Sequence, residues 1–241
     1  MNRIRIIGLA LIAVFAMSAV AASVASAATE PYFSPGAAGT KFTSKSGVSL
    51  LKTSGQTIEC KKDTNEGELI GTSQKEDKVT VRFTECESLA LKEKCQNTAT
   101  PGEIKTTELV SKLGFITTEE KEEEEVGLSL SPKTAGGLFA EFECSGIKIK
   151  VGEGKKTEEG GKEGGNSVIG KITPVDKAVT PPETFKLIFK CVGEEQEVQR
   201  FFGAVKLDVL EAKIGEGGKW EGACETSEDT ILFKVKETII A

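Results

Sequence analysis

Apolar and polar residues alternate along most of this chain, and this pattern restricts its fold more than any other feature of the sequence. In the stretch VTVRFT, for example, Val79, Val81 and Phe83 are separated by polar residues. The same two-residue period recurs in VGLSLS, LFAEFEC, IKIKV, FKLIFKC, VKLDVL and ILFKVK. Successive side chains of a strand point to opposite faces, so this period is typical of half-buried antiparallel strands. We therefore predict an all-β protein, an antiparallel sandwich or open barrel of roughly a dozen strands stapled by disulfides.

The first 27 residues have the organisation of a secretory signal peptide. Arg3 and Arg5 form a basic start, an apolar run follows over 6–22, and ASA at 25–27 provides a cleavage site. A membrane anchor is the alternative, because the apolar run approaches spanning length. The run is rich in Ala and Ser and no basic cluster follows it, which favours cleavage after Ala27. The prediction is a secreted protein, extracellular or in the cell envelope, without stable membrane insertion after cleavage.

Net charge limits the partners of the mature chain. Loss of the signal peptide leaves 29 basic against 37 acidic residues, a net charge of −8. Nucleic acid and anionic membranes both require basic patches, so neither is an expected partner. The remaining 214 residues are enough for one core. We expect an extended N-terminal segment over 28–38 and a single β domain over 39–241.

The chain has six cysteines, and all lie in the predicted mature region: Cys60, Cys86, Cys95, Cys144, Cys191 and Cys224. An even number in an exported chain indicates three disulfides. A zinc site normally brings its ligands in closely spaced pairs, whereas the gaps here are 26, 9, 49, 47 and 33. Because the chain also has no histidine, we predict neither a metal site nor a cofactor.

A faint internal repeat leaves the disulfide pairing open. The segments 57–86 and 142–191 each run from a strand ending in Cys, through an Ile-Gly strand, to a Phe-containing strand that closes on Cys. Duplication and independent β patterning explain this equally well. The pairing that we prefer is Cys86–Cys95, Cys60–Cys144 and Cys191–Cys224. If each copy of the repeat closes on itself, the pairing is instead Cys60–Cys86, Cys144–Cys191 and Cys95–Cys224.

Two polar stretches and one acidic motif are candidates for cation binding. The segments 117–125 and 152–166 consist largely of Glu, Lys, Gly and Thr, so we interpret them as flexible loops. Asp63 and Asn65 begin DTNEG like a calcium loop, but Gly67 comes one place early and Gln74 stands where a bidentate acid is needed. An Asx-type turn between two strands is the preferred interpretation. A calcium-stabilised adhesive module is the alternative.

The absence of histidine excludes Ser-His-Asp and Cys-His catalysis, histidine-ligated zinc and most general-base schemes at neutral pH. Glycoside cleavage by two carboxylates remains open, and it requires acids about 5–10 Å apart across a cleft. Sugar sites usually offer aromatic platforms, yet the chain has one Trp and one Tyr. We therefore predict no catalytic residues and no enzymatic activity.

The order of several motifs resembles a family of secreted proteins common in soil actinobacteria. The motifs are GLALIAVFAMSAVAA, LLKTSGQTIEC, GELIG, FTECES, PGEIKTTELVSKLGFI, VGLSLSP, LFAEFEC and SVIGKITPV. The resemblance covers most of the mature chain and weakens after about residue 195. It implies an exported, cysteine-paired, β-rich protein and carries no activity or ligand. The predicted function is that of a non-enzymatic envelope or extracellular protein that presents a binding surface to a cell-wall polysaccharide or a protein. A carboxylate-dependent glycan hydrolase of the cell exterior is the alternative.

Overall fold

The computed structural model describes residues 30–71, 74–116, 125–152, 164–202, 204 and 207–241. The predicted signal peptide over 1–27 and most of the two predicted flexible loops lie outside these residues. Within them the chain forms 21 strands. The strands are β1 (Tyr32–Ser34), β2 (Lys41–Ser46), β3 (Ser49–Thr53), β4 (Thr57–Cys60), β5 (Lys62–Ile70), β6 (Glu76–Thr84), β7 (Glu87–Ser88), β8 (Glu93–Gln96), β9 (Ile104–Lys105), β10 (Leu109–Ile116), β11 (Glu125–Pro132), β12 (Leu138–Cys144), β13 (Ile147–Gly152), β14 (Gly164–Asn166), β15 (Val168–Thr173), β16 (Phe185–Phe189), β17 (Cys191–Val192), β18 (Glu195–Gln196), β19 (Leu207–Ile214), β20 (Trp220–Phe233) and β21 (Thr238–Ile240).

Eight of these strands close into an antiparallel barrel, which we call the first ring. Its order is β2-β5-β6-β10-β11-β15-β16-β20, and β20 pairs with β2 to complete the circuit. Closure removes the exposed edges that an open sheet would leave. The all-β prediction is confirmed, and the architecture is a barrel that is closed.

The long strand β20 also belongs to a second closed circuit, the second ring. Residues 223–226 of β20 pair with β3 and residues 220–223 pair with β19, whereas residues 227–233 pair within the first ring. The order of the second ring is β3-β4-β7-β8-β12-β13-β19-β20. Several chain segments bend from one ring into the other, as β2 does into β3, so the strands outnumber the predicted dozen.

Four cysteines lie in one row across neighbouring strands of the second ring. The register pairs Ile58 with Ser88, Glu87 with Lys94, and Cys144 with Cys95. Extending each register aligns the four cysteines in the order Cys60, Cys86, Cys95, Cys144 along the row. The disulfides join Cys60 to Cys86 and Cys95 to Cys144, while Cys191 is joined to Cys224.

The preferred disulfide pairing is therefore wrong for two bonds and confirmed for Cys191–Cys224. Cys86 and Cys95 are neighbours, because the Cys95 amide donates to the Cys86 carbonyl at 3.1 Å. A bond between them would leave Cys60 and Cys144 three strand spacings apart, about 14 Å. This is far beyond the Cα separation of about 7 Å that a disulfide tolerates. In the rival pairing, Cys60–Cys86 is right, and the bonds Cys144–Cys191 and Cys95–Cys224 are wrong.

The boundaries of the predicted loops also differ from the structure. Glu125 is already the first residue of β11, and Gly152 is the last residue of β13. Gly164–Asn166 forms β14, which runs parallel to β19. The N-terminal segment is anchored, since Tyr32–Ser34 pairs with β21 and Phe33 is buried. Backbone pairing thus extends into stretches whose composition is polar, because strand ladders do not require apolar side chains.

The buried apolar residues of both rings form one cluster. Its densest aromatic contact is around Phe233, whose ring centroid lies 5.5 Å from Phe33, 5.3 Å from Phe42 and 5.9 Å from Phe185. Gly67 lies opposite Phe42 in the register, and a Cβ at Gly67 would approach the Phe42 ring to 2.3 Å. The glycine of DTNEG therefore makes room for an aromatic ring within the barrel.

Candidate functional site

A cavity of about 110 Å³ lies inside the barrel, where the first and second rings meet. Its lining comes from both rings and is mostly apolar. The apolar lining includes Phe83, Leu130, Phe139, Phe142, Leu187 and Phe189. An interior pocket lined by apolar side chains with a few convergent polar groups is the usual form of a small-molecule site.

One wall of the cavity carries three carboxyl groups, which we call the acidic cluster: Asp63, Glu225 and Asp229. Asp63 lies on β5, and the other two lie four residues apart on β20, on the same face of the strand. Strand β2 runs between them, and its Ser46 is the register partner of both Asp63 and Asp229. Closure of the barrel thus brings together acids that are far apart in the sequence.

Asp229 is held by hydrogen bonds from three side chains. Its Oδ1 accepts from the Ser44 hydroxyl at 3.1 Å and from the Asn65 amide at 3.2 Å. Its Oδ2 accepts from the Ser227 hydroxyl at 3.1 Å. Asp229 is 5% exposed. The carboxyl group is therefore fixed in place and withdrawn from bulk water.

Asp63 is buried as deeply but is less completely hydrogen-bonded. Its Oδ2 accepts from the Ser46 hydroxyl and, at 3.1 Å, from the Ser49 hydroxyl. Its Oδ1 has no hydrogen-bond donor among the described residues, and neither does the Oδ1 of Asn65. Asp63 is only 2% exposed. Two oxygen acceptors thus stay unsatisfied at the same buried wall, which is costly for polar groups.

The acidic cluster holds its protons to unusually high pH. Burial, together with the nearby Asp229 and Asp63 carboxylates, raises the pKa of Glu225 to about 8. Burial and the Asp63 carboxylate raise the pKa of Asp229 to about 7. Burial likewise raises the pKa of Asp63. Because no described lysine or arginine lines the cavity, no positive charge there offsets the negative charge of the carboxylates.

Another buried acid, Asp77, stands apart from the acidic cluster. Burial raises its pKa to about 7. The Ser111 hydroxyl donates to its Oδ2, and its Oδ1 has no donor among the described residues. Asp77 borders a smaller void of about 30 Å³ inside the first ring. It is thus a buried carboxyl group in an environment different from that of the acidic cluster.

Asp63 and Asn65 were already noted in the sequence, as the start of a possible calcium loop and not as part of a buried acidic cluster. The calcium-loop hypothesis and the preferred interpretation, an Asx-type turn, are both wrong, because residues 62–70 form the extended strand β5. Its alternation directs Asp63 and Asn65 to the inside of the barrel. Among the residues that the structure describes, no group of three or more His, Cys, Asp or Glu side chains is arranged to hold a metal ion.

The sequence did not single out Glu225 or Asp229. The available signal was a polar residue on the inward phase of a strand: in ETSEDTILF, Glu225, Ser227 and Asp229 share a phase with Ile231 and Phe233. An acid on the buried phase of a strand is unusual and points to a functional role or a buried network.

No protein-family model, no curated protein and no solved structure matches this chain. Among the residues described, no helix is long and apolar enough to cross a membrane. A function can therefore be inferred only from the residues and the geometry of the cavity.

Proposed function

We propose that this chain is an exported, non-enzymatic binding protein of the cell exterior, and that its barrel interior takes a small, mainly apolar ligand. The observation that carries this proposal is the cavity of about 110 Å³ at the junction of the two rings. Native interiors are normally packed without voids of this size. An interior space lined by Phe and Leu, with polar groups on one wall, has the composition of a ligand pocket.

Three further observations support the exported location. The three disulfides suit an oxidising compartment, since such bonds are rare in reducing cytosol. The first 27 residues carry the pattern of a signal peptide. The motif order resembles secreted proteins of soil actinobacteria, and membership of that group is part of the proposal. A cavity of this size is too small for a polysaccharide chain, so any such partner would contact the outer surface.

Glycan hydrolysis by carboxylates is the second candidate, favoured by one observation. Asp63 and Asp229 come from different strands, as that chemistry requires. However, they line an interior cavity of a closed barrel and are hydrogen-bonded to serines, whereas a glycan requires an open cleft. We therefore expect no release of reducing sugars from cell-wall fractions. Release that Asp229→Asn abolishes would establish the hydrolase instead.

Binding of neutral ligands tests the main proposal. Cyclopentanol and methylcyclopentane match the scale of the cavity and carry no charge. We expect both to perturb NMR signals of the lining residues and to raise the unfolding temperature. Ala140 lines the cavity and is buried, so Ala140→Leu fills part of the space and should abolish these effects. If the folded wild-type protein binds no compound of this size, neutral or charged, the proposal is wrong.

A further inference from the structure

The acidic wall of the cavity has more hydrogen-bond acceptors than donors. The hydroxyls of Ser44, Ser46, Ser49 and Ser227 and the amide of Asn65 already donate to the carboxylates. When the carboxyl groups are ionised, Asp63 Oδ1 and Asn65 Oδ1 still have no donor among the described residues, whereas a protonated Asp229 donates to Asp63. A ligand group that completes this wall must bring donors and no acceptors. An ammonium group, with three N–H donors and no acceptor, meets that requirement.

The charge of the wall favours the same group. Asp63, Glu225 and Asp229 are the titratable residues of the cavity lining, and the described lining contains no basic side chain. Buried carboxylates without a counter-charge are strongly disfavoured. They hold protons instead, which is why the pKa of Asp229 rises to about 7. A bound cation would take the place of such a proton and restore the charge balance.

The remaining lining determines the rest of the ligand. Phe83, Phe139 and Leu130 present apolar surface to the same space. A cavity of about 150 Å³ in another protein accommodates benzene, so the smaller cavity here, about 110 Å³, suits a compact ring or short branched chain. The ligand should therefore combine one cationic end with a small apolar body.

We propose that the cavity binds a small primary amine with a compact apolar body, whose ammonium group lies against Asp63, Asn65 and Asp229. This inference rests on the proposed function, since it names the chemical class of the ligand for the same cavity. It commits to an organic cation, because the rest of the lining is mostly apolar. A bound water could also donate to the two unpartnered oxygens, and the experiment separates these occupants.

Three compounds of matched size distinguish the possibilities: cyclopentylamine, cyclopentanol and methylcyclopentane. Titrations of the full chain at pH 7.5, followed by NMR or calorimetry, compare their dissociation constants. We expect cyclopentylamine to bind at least about tenfold more tightly than cyclopentanol, the ratio that a charge-assisted hydrogen bond of about 1.4 kcal/mol provides. Equal affinities would mean that a water or a proton satisfies the wall, and the inference would be overturned.

Two variants and one matched control locate the ammonium group. Asp63→Asn and Asp229→Asn should each weaken cyclopentylamine about tenfold and leave cyclopentanol nearly unchanged. Asp77→Asn makes the same substitution at a buried acid that borders the smaller void and should change neither affinity. Equal weakening of both ligands by Asp63→Asn would contradict the assigned position.

A pH titration of the wild-type protein avoids variants altogether. The alkylamine stays protonated between pH 5 and pH 8, so among the described groups that line the cavity only the acidic cluster changes its charge in this range. Cyclopentylamine should bind more weakly at pH 5 than at pH 8, while cyclopentanol should not. Binding of the two neutral compounds without this preference would overturn the amine inference alone. Binding of none of the three would overturn the proposed function as well.

Discussion

The two rings share strand β20 but are stabilised by different means. The first ring has long strands, such as β5 and β6 with 9 residues each. Its core includes the aromatic contacts of Phe233. The second ring includes strands as short as β7, with 2 residues, and β4 and β8, with 4 each. All three disulfides attach to the second ring.

This difference shows where covalent bonds replace packing. A strand of two residues makes few backbone hydrogen bonds and buries little apolar surface, so by itself it is weakly held. The bonds Cys60–Cys86 and Cys95–Cys144 fix β4 next to β7 and β8 next to β12. The first ring needs no such bond because its ladders are long. The acidic cluster lies where these two differently stabilised rings meet.

Reduction of the disulfides should give the largest effect and separate the rings. In the chain-entropy model, Cys60–Cys86 stabilises by about 3.5 kcal/mol and Cys95–Cys144 by about 4 kcal/mol. After reduction and alkylation, amides of β7 and β8 should exchange with solvent much faster than amides of β5 and β6. Hydrogen-exchange mass spectrometry measures both sets in one sample. Equal loss of protection in both rings would contradict the conclusion that the disulfides stabilise mainly the second ring.

Phe233→Ala should have the next largest effect and act on the first ring. Truncation of a buried aromatic residue in contact with three others should lower the free energy of unfolding by about 3–5 kcal/mol. Denaturant unfolding with the disulfides intact measures this change. Phe202 is 66% exposed, so Phe202→Ala is the matched control and should change stability little. If Phe233→Ala lowers the free energy of unfolding no more than Phe202→Ala does, the aromatic contacts of Phe233 do not stabilise the first ring.

The acidic cluster, which lies where the two rings meet, should make the protein less stable as pH rises. Between their ordinary values near 4 and their folded pKa values of about 7 and 8, Asp229 and Glu225 bind more protons in the folded than in the unfolded state. The free energy of unfolding therefore falls as pH rises through this window. We expect a loss of more than about 1.4 kcal/mol between pH 5 and pH 8, the value for one pKa unit. Constant or increasing stability in urea titrations over this range would contradict the raised pKa values of Asp229 and Glu225.

Asp229→Asn should produce the smallest change in stability, and it tests the same acidic cluster. The amide keeps an acceptor oxygen but carries no charge, so the decrease in stability between pH 5 and pH 8 should be smaller by about 1 kcal/mol. Glu85→Gln is the surface counterpart. Nearby Lys62 lowers the pKa of Glu85 through an exposed ion pair, and solvent screens such pairs. Its removal should leave the pH profile of the unfolding temperature unchanged.

Local patterns were enough to predict the strands but not their partners. Val79 and Val81 alternate with polar residues and are buried in β6, as the period requires. In contrast, the preferred partner of Cys86 was the nearest cysteine in sequence. The partner in the structure, Cys60, is adjacent because β4 pairs with β7. Strand order across a barrel depends on long-range pairing, which residue spacing does not encode.

The sequence by itself determined the all-β class, the participation of six cysteines in disulfides and the lack of histidine chemistry, because these depend on composition and short-range periodicity. Only the tertiary structure decided which cysteines pair, that the barrel is closed and that Asp63 meets Asp229. Asp63 and Asp229 are distant in the chain, and they become neighbours only when β2 pairs with β5 on one side and β20 on the other. The candidate site therefore arises from barrel closure, which brings together residues that carry no shared motif.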